Sequence, residues 1–150
     1  MHVVLVEPEI PQNTGSIARL CAATYTTLHL IGPLGFHIED RRLKRAGLDY
    51  WKYVDIRFHD SWDSFVAHHG SERLFFLSKR GSVSYTQARF DPNAYLVFGP
   101  ETRGLPQALL ESNQDRVYCI PMIGHGVRSL NLANAVSIVV YEALRQSGKV

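Results

Sequence analysis

Short runs that are apolar at consecutive positions, each followed by a segment of helical spacing, constrain this chain most. HVVLVEP (2–8), LHLIG (28–32), VDIRFH (54–59), the start of RLFFLSKRG (73–81), YLVFG (95–99) and RVYCIPM (116–122) are such runs. Alternate side chains of a strand point to opposite faces, so a strand apolar at neighbouring positions must be covered on both sides. Between these runs, NTGSIARLCAATY (13–25), EDRRLKRAG (39–47), SWDSFVAHHG (61–70), GLPQALLES (104–112) and the stretch from Leu132 to Gln146 read as helices. Ile17, Leu20, Cys21 and Thr24 share one face of the first. Asn13 or Thr14 is its expected cap, Ser61 caps the third with Gly70 as its stop, and Pro106 lies in the first turn of the fourth. In the last, Leu132, Val136, Val140 and Leu144 form the core stripe, opposite Ser137, Tyr141 and Arg145. Strands alternating with helices predict an α/β fold, a parallel sheet with helices on both faces. A length of 150 residues predicts one domain over 1–150.

Several function classes fall away. Sixteen Lys+Arg against fourteen Asp+Glu leave a net charge of only +2, so an anionic partner has to be held by local clusters. Cys21 and Cys119 sit in apolar runs and read as small buried hydrophobes, without disulfide or zinc spacing, which fits a reducing compartment. No apolar run approaches the ~20 residues of a membrane span, and the first residues read as a strand rather than a signal peptide. The expectation is a cytoplasmic protein with no membrane association. The seven histidines show no ligand spacing and read as surface or loop residues, so no metal is expected. No GxxxxGK[ST] or GxGxxG is present, and no Ser or Cys sits in an elbow motif.

Ligands of open α/β sheets bind beyond the carboxyl ends of the strands. Those ends here are EPEIPQNTGSIAR, LSKRG (77–81), FGPETRG (98–104) and IPMIGHGVRSLN (120–131). They combine glycine and proline with polar and charged residues, the makings of a rigid pocket with exposed backbone. Arg128, Ser129 and Asn131 crowd the entrance of the last helix. One side chain suffices to cap it, which leaves the others available to a ligand.

NTGSIAR (13–19), FGPETRG (98–104) and IPM…VRSLNLANAVSIVVYEALRQ (120–146), in this order, resemble the three motifs of the SPOUT-class RNA 2′-O-methyltransferases. The likeness runs through the whole chain, including PEIPQNTG (8–15) and KRAGLDYW (44–51), and is greatest to the small tRNA (cytidine/uridine-2′-O-)-methyltransferases of the wobble nucleotide. The resemblance implies a C-terminal deep trefoil knot, which general topology rules would not propose. It also implies S-adenosylmethionine as methyl donor, tRNA as substrate and a homodimer. The segment Ile123–Gly126 is one residue longer than the family pattern. Carried over position by position, the resemblance puts the donor among Leu77, Gly99, Glu101, Ile120, Met122, Ser129 and Leu130. It assigns the reaction to Arg19, Asn13, Glu101, Ser129 and Asn131.

For Glu101 the expected role is to hold Arg19 and Arg103, or else it is a surface charge. Arg19 is either the base that takes the ribose proton or a cation that positions the ribose and stabilises the developing oxyanion. A guanidinium pKa lies above ~12, and bringing one near 7 costs roughly 7 kcal/mol, which favours positioning. Candidate RNA contacts are the run RRLKR (41–45) with Arg41 and Arg42, then Lys79, Arg80, Arg103, Arg128, Tyr141 and Arg145. The rival readings are a catalytically idle RNA-binding module on the same fold and an unrelated nucleotide-binding α/β protein. The joint presence of Asn13, Arg19 and Glu101 favours the enzyme over the first. The lack of a phosphate-cradling glycine loop argues against the second.

Overall fold

The computed structural model describes residues 1–39, 41, 42, 45 and 50–150. Strands β1 (His2–Val6), β2 (Thr27–Ile31), β3 (Ile56–His59), β4 (Leu74–Leu77), β5 (Val83–Ser84), β6 (Tyr95–Phe98) and β7 (Val117–Cys119) form one sheet. All pairings between them are parallel. Helices α1 (Pro11–Thr24), α2 (Trp62–His69), α3 (Gln107–Glu111) and α4 (Leu132–Gln146) cover it. The charged helix expected over 39–47 falls largely outside the described residues.

The two apolar faces read in the strands become two core layers. Val3 and Leu5 of β1, Leu28 and Leu30 of β2, and Leu96 and Phe98 of β6 point into one layer. There they meet Ile17, Ala18 and Cys21 of α1 and Val136, Val139, Val140, Ala143 and Leu144 of α4. Val4, Val6, Ile31, Phe76 and Val97 point the other way, onto Phe65 of α2 and Leu105 and Leu110 around α3. Each large side chain buried this way contributes about 1.5–3 kcal/mol before the entropy of ordering it. Leu132, expected in the core stripe of α4, is only partly buried at the helix mouth.

The strand order is β3-β2-β1-β6-β4-β7-β5. From β4 the chain runs to the far edge at β5, returns to place β6 between β1 and β4, then places β7 between β4 and β5. Strands β4, β6 and β7 therefore end side by side although long connections separate them. Beyond β4, the two-residue β5 and a 3-10 turn at Tyr85–Gln87 are elements that the hydrophobic pattern does not reveal. They are too short to carry a periodicity.

Two local expectations are corrected. Helix α1 begins at Pro11, not after Asn13 or Thr14, and neither residue caps it. Pro11 is preset for a first helical position, and the missing cap is supplied by Glu101, far along the chain. Cys119 is only half-buried, while Cys21 is buried as expected, and burial pushes its thiol up to about 12. Among the described residues no helix is long and apolar enough to cross a membrane.

Candidate functional site

A cavity of about 540 Å³ opens where β4, β6 and β7 end and where α1 and α4 begin. All seven residues expected at the donor line it: Leu77, Gly99, Glu101, Ile120, Met122, Ser129 and Leu130. Asn13 and Asn131 line it too. Residues from four separate stretches of chain thus meet in one space, because parallel strands deliver their following loops to the same edge.

The wall between α1 and α4 is a hydrogen-bonded ladder. Glu101, in the loop after β6, accepts from the backbone N–H of Glu9 at 2.8 Å and of Ile10 at 3.1 Å, and from the Asn13 amide at 3.2 Å. Its carboxylate thereby satisfies orphan donors at the start of α1 and sits at the positive end of the helix dipole. Asn13 in turn accepts from the Asn131 amide at 2.9 Å. The Asn131 carbonyl caps α4 by accepting from the backbone of Ala133 and Asn134. A second rung runs the opposite way: Glu9 accepts from the backbone and hydroxyl of Thr102 at 3.0 and 2.9 Å. Two loops and two helix entrances are tied together, and most of the ties are charge-assisted.

Glu101 therefore does not hold Arg19 or Arg103, the role expected of it. Its oxygens are taken up by the start of α1, Arg103 pairs with Glu7, and the Arg19 guanidinium lies 4.7 Å over the Tyr50 ring. Glu7 itself has a left-handed backbone, φ 47°, where the chain leaves β1. Arg19 is exposed and does not line the cavity. The same helical register that points Asn13 inward carries Arg19, one and two-thirds turns later, away from it.

Gly99 is required by a close approach. A Cβ there would lie no more than 3.0 Å from backbone atoms of Gly104 and Leu105, so only glycine lets the 98–104 loop fold back on itself. The opposite wall is built differently. Residues 120–131 carry no regular secondary structure, and Ile123 is 96% exposed, Val127 61% and Met122 39%. Of the three polar residues at the mouth of α4, Asn131 is the cap, while Arg128 and Ser129 face the cavity.

Four cations, Lys79, Arg80, Arg103 and Arg128, line the same opening. All four are among the RNA contacts expected from the sequence, and Arg80 also donates to Gln107 at 2.7 Å. Arg41 and Arg42 are exposed, and Tyr141 is half-exposed on α4. None of these three lines the cavity. Arg145 forks onto Glu142 at 2.9 Å and holds that carboxyl down to about 2.

The histidines depart from the surface reading. His29 is fully buried on β2, with His2, His59 and His69 around it. Burial, and then the neighbouring imidazoles, push His29 down to about 3. Burial and then the chain's amino terminus push His2 down to about 4. This cluster lies away from the cavity, and no histidine lines the latter.

Comparisons with known proteins identify the family. The model of the SpoU rRNA Methylase family matches residues 1–141. The tRNA (cytidine(34)-2'-O)-methyltransferase of Saccharophagus degradans is 51% identical over 148 residues, covering 98% of this chain and 96% of its own. A solved structure concerned with the 2-OH methylation of C/U34 on tRNA superposes with a TM-score of 0.92 at 51% identity, covering 99% of this chain and 97% of that one. The SpoU methyltransferase AviRb of Streptomyces viridochromogenes, solved with AdoMet, gives 0.84 at 26% identity, covering the whole of this chain and 61% of that one. By its sequence and its fold, the chain belongs to the SpoU methylase family.

Proposed function

We propose that this protein transfers a methyl group from S-adenosylmethionine to the ribose 2′-OH of the wobble nucleotide, cytidine or uridine 34, in tRNA. One observation carries the reading: the seven residues expected at the donor, scattered from 77 to 130 in the chain, line a single cavity. Its volume is that of a small-molecule site. The residues present fit this donor. Leu77, Ile120 and Leu130 offer apolar walls to an adenine ring, backbone groups of the 98–104 loop offer polar edges, and Glu101 supplies negative charge for a sulfonium. Relatives named for this reaction at about 50% identity support the acceptor.

The bound donor supplies a methyl that is already activated, so the chain's main task is alignment. Well-aligned reactants gain on the order of 7–11 kcal/mol over their free encounter. The Glu101–Asn13–Asn131 ladder keeps the wall in one shape before any ligand arrives. Ser129 and Asn131, which line the cavity, are assigned here to orienting the acceptor ribose. Lys79, Arg80, Arg103 and Arg128 provide the local positive field that the overall charge does not. RNA binding should then weaken with salt. The reading places the protein in the cytoplasm, where tRNA is, as one domain doing both donor and RNA binding.

Arg19 is the catalytic residue that the cavity lacks. We assign it to the acceptor site of a second copy in a homodimer, where it positions the ribose and stabilises the oxyanion as the proton leaves. Its exposure outside its own cavity supports this. We read the C-terminal part as a deep trefoil knot, and the strand order, with β6 and β7 each set down beside strands made earlier, supports that reading.

Titration calorimetry with S-adenosylmethionine tests the reading against an idle RNA-binding module, which would bind RNA and no donor. Complementation tests the dimer. An Arg19→Ala chain mixed with an Asn131→Ala chain, unfolded and refolded together, should regain activity if Arg19 acts across the interface. No recovery over the separate variants would place Arg19 in its own chain's site.

A further inference from the structure

The histidine cluster lies outside everything the reaction uses. It occupies the sheet face under α2, at the β2–β3 side of the molecule. His29 on β2 and His59 on β3 are on paired strands, two register positions apart along β3, and His69 ends α2 above them. His29 Nδ1 lies 3.0 Å from His59 Nε2. The ring centroid of His69 stands 4.9 Å from that of His29 and 5.4 Å from that of His59. One ring nitrogen from each of the three falls within 4.8 Å of the others.

We propose that His29, His59 and His69 form a binding site for a divalent transition-metal ion of the zinc class, with the methyl-transfer cavity elsewhere. Three features support it beyond proximity. First, the imidazoles are held neutral, chiefly by burial, so each keeps one unprotonated nitrogen at neutral pH that a cation can take without first displacing a second proton. Second, the non-ligating nitrogens have partners that fix the rings. His29 Nε2 is 3.0 Å from His2 Nδ1, and His69 Nδ1 is 3.2 Å from the Tyr95 hydroxyl. Ligating histidines in metal sites characteristically use the second nitrogen in this way. Third, the nearby Arg57 is not an isolated positive charge, because Asp55 accepts from its guanidinium at 2.8 Å.

Phe65 closes the floor, packed edge-on against both His29 and His59. In this site the cation replaces the proton shared between His29 and His59. At Zn–N distances of about 2.0–2.1 Å tetrahedral nitrogens lie roughly 3.3 Å apart, so the 3.0 Å His29–His59 pair opens a little and the His69 ring moves in. His59 and His69 are partly exposed and can make that adjustment, while His29 stays fixed by its strand. A solvent molecule completes the coordination. Because the ion joins two strands and a helix, it acts on stability and not on the chemistry.

The test uses the full-length, tag-free protein, stripped with EDTA and then titrated with Zn²⁺ and, separately, Co²⁺. One zinc per chain should bind, and Co²⁺ should develop the visible absorption of a low-coordinate nitrogen site. The Tm should rise by roughly 5–10 °C once free zinc exceeds its Kd a hundredfold. His59→Asn and His69→Asn should each lose the metal-dependent rise while binding S-adenosylmethionine with unchanged affinity. These two partly exposed positions are used because replacing buried His29 could unfold the chain. No stoichiometric uptake in the parent protein, or uptake and a Tm rise that persist in the double variant, would overturn the site.

Discussion

The two walls of the cavity are made in contrasting ways. On one side, Glu101, Glu9, Asn13 and Asn131 exchange hydrogen bonds with each other and with the first turns of α1 and α4, and little is left to move. On the other, residues 120–130 leave β7 without regular structure, and Ile123 and Val127 stand in solvent without apolar cover. Exposed apolar side chains beside a site built from polar ties point to a division of labour. The tied wall is preorganised, so it loses little entropy when a ligand arrives, and the open wall supplies apolar surface that a ligand can cover. A protein that must bind a small donor tightly and still admit an RNA strand gains from having one of each.

The largest effect expected from attacking this contrast is at Gly99. Gly99→Ala forces a Cβ into the backbone of Gly104 and Leu105, and should cost about 3 kcal/mol and abolish donor binding. Unfolding in urea together with calorimetry checks both, and an alanine accepted without loss would show that the tied wall is softer than its contacts imply.

Acid comes next, and it should act elsewhere. His29 titrates near 3 in the folded chain against about 6.5 when unfolded, so the unfolded state takes up protons first as pH falls. The stability contributed by its neutral form is complete above about 6.5 and is lost as pH drops toward 3. By pH 5 that loss is about 2 kcal/mol from His29 alone, or roughly 4–8 °C in Tm, measured in EDTA so that no metal intervenes. Since no histidine lines the cavity, the donor affinity of the protein that remains folded at pH 5.5 should stay close to its neutral value. Equal Tm values at pH 7 and pH 5 would contradict the buried neutral cluster.

A smaller loss is expected at the helix entrance. Asn131→Ala removes the cap of α4 and the bridge to Asn13 together, at a cost of about 1–2 kcal/mol. Asn131→Asp separates the two, because the carboxylate still caps but can no longer donate to Asn13. Thermal unfolding should therefore rank the parent above Asp and Asp above Ala, with donor affinity reduced in both. The smallest change belongs to the open wall. Ile123→Ala should alter stability by less than about 0.5 kcal/mol, as exposed positions do. It should still weaken ligand binding, because Ile123 has surface to cover only when a ligand is present. A stability loss comparable to that of Asn131→Ala would show the loop already packed without ligand.

Much of the molecule is legible in its residues, and the exceptions share one cause. The two-faced apolar strands predict the parallel sheet, and the segments leaving each strand contain most of the cavity lining, because βα loops are local in sequence. The capping of α1 is not legible, because its cap is Glu101, some ninety positions away, whereas local rules look for a cap beside the helix. The histidine cluster is hidden for the same reason. Its members come from positions 2, 29, 59 and 69, with no spacing to mark them, and only strand register and the end of α2 bring them together. Arg19 is marked by its motif, but the direction it takes from a helix that starts at Pro11, three or four residues earlier than a cap at Asn13 or Thr14 implies, is not.

The central claim is that this cavity presents an activated methyl to one ribose hydroxyl. The most direct test incubates the protein and S-adenosylmethionine with a synthetic tRNA anticodon stem-loop, and with the same RNA carrying 2′-deoxyribose at position 34 alone. Mass spectrometry of the digested RNA should find a single added methyl, on the 2′-oxygen of nucleotide 34, and none on the deoxy substrate. Equal methylation of both RNAs, or a methyl on a base, would contradict the account.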